Sequence, residues 1–301
     1  MRILLTGKNG QVGYELQRAL APSGEVIAFD RKGCDLSSPD SIRSALREFR
    51  PAIIVNPAAY TAVDKAEEEK ELAFAINGFA PGIIGEEAKK LGALVVHYST
   101  DYVFDGLKKG AYTEEDSASP LSVYGASKLA GEDALRASGA AHLIFRTSWV
   151  YGVHGANFLK TMLRFMNQKE ELSIVADQIG APTSASLIAD VTSLVLSRIG
   201  TSPEKHMDKL GLYHLTAARE ISWYGYAIHI CRVTAEMGIP LLTTPEKIHP
   251  IPSSDYPVPA MRPMNSRLDC SRLETVFGLR MPWWETCVDH SLQLLTELNY
   301  A

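Results

Sequence analysis

The first thirteen residues constrain the fold more than any other stretch. An apolar run, "RILLT" (2–6), leads directly into "TGKNGQVG" (6–13), which carries Gly7, Gly10 and Gly13 three residues apart. A short strand that ends in glycines and opens a helix is the first half of a β-α crossover unit. Gly7 permits the tight turn, Gly10 lets backbone N–H groups approach a phosphate, and Gly13 lets the helix lie close to the strand. The helix N-terminus adds partial positive charge at the same place. A glycine-rich turn without a ligand would share the pattern; the preceding strand and the following helix favour phosphate binding.

The β-α theme then repeats. "EVIAF" (25–29), "AIIVN" (52–56), "ALVVHYS" (93–99) and "HLIFRTS" (142–148) are continuous apolar runs, the signature of strands covered on both faces. Helices are predicted after Gly10, after Ser38 with Pro39 at the first helical position, from about Leu72 to Leu91, and from near Tyr124. This alternation implies an α/β, Rossmann-like, doubly wound parallel sheet. The second half is Pro-rich at 249–263, with predicted helices at 184–199, 221–237 and 282–298 and short strands at 172–175 and 212–215. The expected division is a dinucleotide-binding domain over 1–152 and a smaller C-terminal α/β lobe over 153–301, with about 172–200 returning to the first domain.

Composition narrows the function classes. The 301 residues carry a formal net charge of -5, with a pI near 5.9, which argues against a nucleic-acid binder. No apolar run approaches the roughly 20 residues of a membrane span. "MRILLTG" is too short in its apolar part to read as a signal peptide. Cys34, Cys231, Cys270 and Cys287 are far apart, and the eight histidines are scattered. These features predict a cytoplasmic protein with reduced thiols and no metal.

Three groups of residues carry candidate chemistry. At the end of the second predicted strand, Asp30 stands where an acid takes adenosine ribose hydroxyls, but Arg31 and Lys32 follow, and a basic residue there can hold the 2′-phosphate of NADP. NADH and NADPH are both compatible, and Asp35 serves either the adenosine or a helix cap. In "SPLSVYGASKLAGE" (119–132), Tyr124 and Lys128 lie four apart on a predicted helix, so on one face. A nearby cation lowers a phenol's pKa and makes it a usable acid–base; Lys128 can also reach a nicotinamide ribose. The small neighbours Gly125 and Ser127 are expected to leave room for a cofactor, so that leucine there would harm activity more than folding. "HYSTDYVFDG" (97–106) ends a strand in hydroxyls. Thr100 is placed to share negative charge on a substrate oxygen, whereas Ser99 reads more simply as turn chemistry.

"TGKNGQVG", "NPAAYTAVDKAE" (56–67), "STDYVFDG", "YGASKLAGE", "RTSWVYG" (146–152), "DQIGAPT" (177–183) and "RPMNSRLD" (262–269) occur in that order. Together they resemble the dTDP-4-dehydrorhamnose reductase family of extended short-chain dehydrogenases/reductases over nearly the whole chain. The resemblance implies a proton from Tyr124, supported by Lys128 and Thr100. It implies dinucleotide contacts at Gly10, Gln11 and Val12, within the turn that Gly7 and Gly13 shape, and adenosine contacts at Asp30, Asp35 and Leu36, beside the 2′-phosphate candidate Arg31. Along the rest of the cofactor it implies Ala59, Tyr60, Thr61, Tyr98 and Asn77, the last supporting the lysine through water. It implies sugar-nucleotide contacts at Thr100, Asp101, Tyr124, Trp149, Asn157, Arg262 and Asn265, with Gln178 and Thr183 weaker candidates that a turn at "GAPT" explains nearly as well. The implied reaction is reduction of the C4 ketone of dTDP-4-dehydro-β-L-rhamnose by NADPH or NADH.

Related dehydratases carry Asp-Glu after the catalytic threonine, whereas here Asp101 is followed by Tyr102, which favours reduction over water elimination. Some members dimerise around magnesium held by glutamates. Glu15 and Glu297 match, but Ser186 stands where a third would be, so no metal is expected and the chain reads as a monomer or homodimer. Two alternatives stay open: a reductase of another dTDP-4-keto-deoxysugar, and a non-catalytic NADP-binding regulatory subunit.

Overall fold

A computed structural model describes residues 1–199 and 203–298; the parts of the expected C-terminal lobe at 200–202 and 299–301 lie outside them. The chain opens with β1 (Arg2–Leu5), α1 (Gln11–Leu20), β2 (Glu25–Ala28), α2 (Pro39–Phe49) and β3 (Ile53–Asn56). Next come α3 (Val63–Ala66), α4 (Lys70–Phe74), a π turn (Ala75–Phe79), α5 (Ala80–Leu91), β4 (Leu94–Thr100), α6 (Val123–Ser138) and β5 (His142–Thr147). The rest follows as β6 (Val150–Tyr151), α7 (Phe158–Gln168), β7 (Leu172–Val175), β8 (Ile179–Gly180), β9 (Thr183–Ser184), α8 (Ala185–Ile199), β10 (Gly211–His214), β11 (Ile221–Ser222), α9 (Trp223–Glu236), β12 (Ile248–Ile251), α10 (Ser271–Phe277) and α11 (Trp284–Glu297).

Six parallel strands form the main sheet in the order β10-β5-β4-β3-β1-β2. The chain runs from β1 outward to β2 and then crosses back to β3, so the strand order reverses between β1 and β3. A crevice opens at such a switch point, beyond the carboxyl ends of the strands. One face of the sheet is covered by α1 and α8, through Leu16, Leu20, Ile188 and Val195. The other is covered by α2, α5 and α6, through Ile42, Leu46, Ile84 and Leu135. A second core packs α7, α9 and α11 around Leu159, Met166, Tyr226, Trp284 and Leu292.

Three expectations are corrected. The strand expected at 212–215 in the smaller lobe is β10, the edge of the main sheet, parallel to β5. The segment 172–175 does not return to the first domain: β7 pairs in parallel with β12 in a separate two-stranded sheet, while α8 does pack on α1. The start of the Pro-rich stretch is therefore a strand, and it tolerates Pro250 because a two-stranded sheet is all edge. Finally, the helix expected over 72–91 is interrupted by the π turn. Pro81 has no N–H to offer the carbonyl four residues back, so the helix changes hydrogen-bond register there.

A buried ion pair ties α6 to the sheet. Glu132 is fully buried and accepts from Arg146 Nε at 2.9 Å and Nη2 at 2.7 Å. Ser99 Oγ donates to the same carboxylate at 2.5 Å, so Ser99 is a structural residue of a buried network, not part of a turn. Arg146 also lies 5.0 Å from the Phe104 ring centroid. Removing Arg146 leaves the buried carboxylate with only Ser99 and the part-exposed Arg136 at 3.3 Å, so Arg146→Met is expected to lower stability by about 3 kcal/mol, read by urea denaturation.

Candidate active site

The glycine turn fits a dinucleotide. Gly7 has φ +62°, a left-handed conformation that favours glycine. A Cβ on Gly13 would stand 2.1 Å from the Gly7 carbonyl oxygen, which shows how closely α1 approaches the turn. Helix α1 has Gly10 at its N-cap and no side-chain cap. The first-turn amides of Gln11, Val12 and Gly13 are thus left to an anion. The second lobe leans on this turn: Asn157 Nδ2 donates to Gln11 Oε1 at 2.9 Å, and His154 Nε2 lies 3.0 Å from the Asn9 carbonyl oxygen. Its ring stacks on Tyr14 with centroids 4.3 Å apart. Asn157, expected on the sugar, also caps α7 by accepting from the Lys160 amide at 3.1 Å. Its amide serves the joint between lobes.

At the expected adenosine end the carboxylates fold back on their own loop. Asp30 accepts from the amides of Lys32 and Gly33 at 3.0 and 3.2 Å, and Lys8 stands 3.6 Å away. Those amides, foremost Gly33, hold Asp30 below its ordinary pKa. Asp35 accepts from the Ser37 hydroxyl and amide and lies 3.5 Å from Arg31. Leu36 is 7% exposed and belongs to the core beside Ile42, so its side chain is largely committed. Arg31 extends into solvent.

Tyr124 and Thr100 meet at the carboxyl end of β4. Tyr124 is half-buried on the first turn of α6, which is capped by Ser122 Oγ accepting from the Gly125 amide. Its ring packs edge-on against Tyr102, with centroids 5.4 Å apart. Burial pushes its phenol up to about 12; the Thr100 hydroxyl opposes the rise and the Asp101 carboxylate adds to it. Asp101 is 2% exposed and accepts from Thr100 Oγ1 at 3.0 Å, but its Oδ2 makes no hydrogen bond. Burial raises its carboxyl to about 6. The hydroxyls of Thr147 and Ser148 are also buried without partners, and Thr147 is the cross-strand neighbour of Thr100.

Lys128 is arranged differently from the expectation. Its ammonium nitrogen donates to the Tyr98 carbonyl at 2.6 Å and lies 3.3 Å from His97 Nε2. Among the described residues no hydrogen bond joins it to Tyr124, so the spacing of four places both on one helix without bringing their heads together. Burial lowers Lys128 to about 8, opposed by Glu132 one turn on. The Tyr98 ring, expected beside the cofactor, lies in the core with its hydroxyl 2.8 Å from Thr192 Oγ1. Only its carbonyl faces the site.

Asn77 sits in the π turn and is almost fully buried. Its Oδ1 accepts from the Tyr60 amide at 2.8 Å, and its Nδ2 donates to the Tyr60 carbonyl at 3.0 Å and Ser127 Oγ at 3.1 Å. It therefore fixes the Tyr60 backbone directly. Ser127 Oγ donates on to the Tyr124 carbonyl at 2.8 Å. The small residues of α6 are thus explained by packing: a Cβ on Gly125 would stand 2.1 Å from the Tyr102 carbonyl oxygen, and one on Gly131 2.0 Å from the Asn77 carbonyl oxygen.

On the sugar side, Trp149 adopts φ +49° and stacks on Trp223 with centroids 3.5 Å apart. Arg262 Nη2 donates to Asp64 Oδ2 at 2.7 Å, and its Nη1 is buried without a partner. Asn265 donates to the carbonyls of Lys108 and Gly110 at 2.6 and 2.8 Å and accepts from Arg267. Its amide is filled by protein, leaving no donor for a diphosphate. Gln178 donates to Ser253 Oγ at 2.9 Å, and Thr183 Oγ1 to the Ala181 carbonyl at 3.0 Å. Sequence reading missed Asp64, Tyr102, His97, Thr147, Ser148 and Trp223. All but Trp223 lie inside quoted motifs, and their roles emerge only from contacts between motifs. Among the described residues no three His, Cys, Asp or Glu side chains are grouped to hold a metal.

Comparisons with known proteins agree in direction. The family described as "RmlD substrate binding domain" matches residues 1–297. The dTDP-4-dehydrorhamnose reductase of Escherichia coli K12 is 48% identical over 299 residues, 98% of each chain. A crystal structure of such a reductase from Clostridium acetobutylicum superposes with a TM-score of 0.88 at 36% identity, covering 98% of this chain and 100% of that one. A reductase from Bacillus anthracis, solved in complex with NADP, gives 0.86 at 33% identity, covering 97% and 99%.

Because Gly125 is small for packing, its replacement should damage folding and activity together, contrary to the sequence expectation. Gly125→Ala is expected to lower stability by about 1–3 kcal/mol while reducing turnover, with denaturation and steady-state rates measured on the same preparation.

Proposed function

The chain belongs to the dTDP-4-dehydrorhamnose reductase family, and on that footing we propose that it reduces the C4 ketone of dTDP-4-dehydro-β-L-rhamnose to dTDP-β-L-rhamnose. It is an NAD(P)H-dependent oxidoreductase. The observation that carries the assignment is the placing of Tyr124, on the first turn of α6, against Tyr102 just past Thr100 at the carboxyl end of β4, together with a glycine turn whose helix has no side-chain cap.

The reduced nicotinamide, when bound, supplies the hydride. The protein's part is to bind, orient and deliver a proton. The amides of Gln11, Val12 and Gly13 hold the dinucleotide phosphates, and the Tyr60 segment fixed by Asn77 lines its middle. The buried, unpartnered Nη1 of Arg262 is directed to the sugar nucleotide's phosphates, where a guanidinium suits oxyanions. Asp101 Oδ2 accepts from a sugar hydroxyl, and Trp149 forms a wall of the pocket. With its phenol near 12, Tyr124 stays protonated at neutral pH and is suited to give a proton to the C4 oxygen as negative charge grows there. Thr100 Oγ1, turning its one proton from Asp101 to the C4 oxygen, shares that charge by a hydrogen bond. The Lys128 ammonium favours the phenolate left behind and holds the cofactor ribose. Tyr102 follows Asp101, so no carboxylate base stands there for water elimination. We place the reaction in the cytoplasm, with the protein acting as a monomer or homodimer. Among the described residues no helix is long and apolar enough to cross a membrane.

The test is consumption of NADPH and of NADH with the keto-sugar, with the product identified by NMR; a product other than the rhamnose configuration would reassign the substrate. Tyr124→Phe is expected to lower kcat/KM by about 10²- to 10⁴-fold with NADPH affinity unchanged. Lys128 acts as a cation, so kcat/KM should fall as pH rises through about 8, measured as a pH–rate profile.

A further inference from the structure

A line of buried polar groups runs beneath the site, and of its members only Lys128 has a part in the mechanism above. Thr6, the last residue before Gly7, donates from Oγ1 to Asn56 Oδ1 at 2.6 Å. Asn56 Nδ2 lies 3.2 Å from His97 Nδ1, and His97 Nε2 lies 3.3 Å from Lys128 Nζ. Thr6, Asn56, His97 and Lys128 are each 2% exposed or less. The line crosses β1, β3 and β4 and ends on α6, joining the glycine turn to the lysine.

We propose that His97 is a positioning residue for Lys128: it accepts one proton of the buried ammonium and aims the remaining donor at the site. An ammonium has three N–H groups. One is taken by the Tyr98 carbonyl and one by His97 Nε2, which leaves a third for a ribose hydroxyl or for Tyr124. The inference rests on the proposed function only in treating Lys128 as part of the machinery.

Donor counting then gives the line two self-consistent orders. When Lys128 is charged, His97 Nε2 must be an acceptor, so the ring proton sits on Nδ1 and needs an acceptor in turn. The Asn56 amide supplies it by presenting Oδ1, while its Nδ2 turns to the Thr6 hydroxyl. When Lys128 is neutral, its lone pair accepts from Nε2–H, Nδ1 accepts from Asn56 Nδ2, and Thr6 donates to Oδ1. The second order matches the Asn56 orientation in the structure, and amide orientation follows the hydrogen-bond network. The ring carries one proton in both orders; the proton that leaves is the lysine's. The groups facing the pair are few. Glu132 on α6 is itself held by Arg146, Arg136 and Ser99. His142 on β5 bears on His97, and burial together with Lys128 keeps that imidazole neutral.

The test uses the whole protein and no sugar, so it stands apart from the substrate assignment. In protein labelled with ¹⁵N-histidine, with His97 assigned by its loss in His97→Gln, the ring should be the Nδ1–H tautomer below the titration of Lys128 and the Nε2–H tautomer above it. A ring that is Nε2–H throughout would overturn the proposal, since it could not accept from an ammonium. NADPH affinity against pH, read by nucleotide fluorescence, gives a second measure. In His97→Leu the alkaline loss of affinity should move about one pH unit lower, a roughly tenfold effect. His97→Gln, which keeps an acceptor, should restore most of it. An unmoved limb in folded His97→Leu would also overturn the proposal; should that variant not fold, the tautomer of the wild-type ring decides.

Discussion

The close seating of α6 on the sheet is the constraint from which the site follows. Three contacts enforce it. Glu132 is buried against Arg146 and Ser99, Gly131 meets the Asn77 carbonyl, and Gly125 meets the Tyr102 carbonyl. The ion pair alone would be weak evidence of stability, because desolvation offsets much of its attraction. Its value lies in direction: a bidentate pair between α6 and β5 fixes the helix's rotation. That rotation puts Tyr124 beside Thr100 and Lys128 beneath the strand ends.

The interruption at Ala75–Phe79 serves the same seating. Without an N–H at Pro81, the Asn77 carbonyl lacks its helical donor four residues on, and α6 can approach it only where Gly131 lacks a side chain. The same turn directs the Asn77 amide at Tyr60 and Ser127. One local irregularity thus sets both the cofactor-side backbone and the base of the tyrosine helix. π turns often occur at functional positions, and here the mechanical reason is visible.

The strands of the main sheet were legible because burial on both faces leaves continuous apolar runs, as in "AIIVN" and "HLIFRTS". β10 was assigned to the wrong lobe because a short apolar run carries no information about its partner. Helix α7 was missed for want of a strong starting signal; its cap, Asn157, is recognisable only once the Lys160 amide is seen bonded to it. The positions of Tyr124 at a helix start and Thr100 at a strand end, and the form of the glycine turn, were readable from residue type and local pattern. The protein partners of Lys128, Asn77, Asn157 and Asn265 were not. Each has hydrogen-bond capacity that a neighbour distant in sequence can claim, and sequence spacing says nothing of which neighbour arrives. The small residues of α6 were read as room for ligand, when they are room for two backbone carbonyls.

Trp149 shows how far such claims bind positions together. Its left-handed backbone is unfavourable for a residue with a Cβ, and the ring is held by Trp223 on one side. A Cβ on Gly180 would come within 2.6 Å of Trp149 Cε2. Residues 149, 180 and 223 lie in three separate segments, yet none can change size without displacing the indole. They therefore behave as one unit of substitution. The effects of changing them singly will not add, and a viable exchange at one position calls for a matching exchange at another.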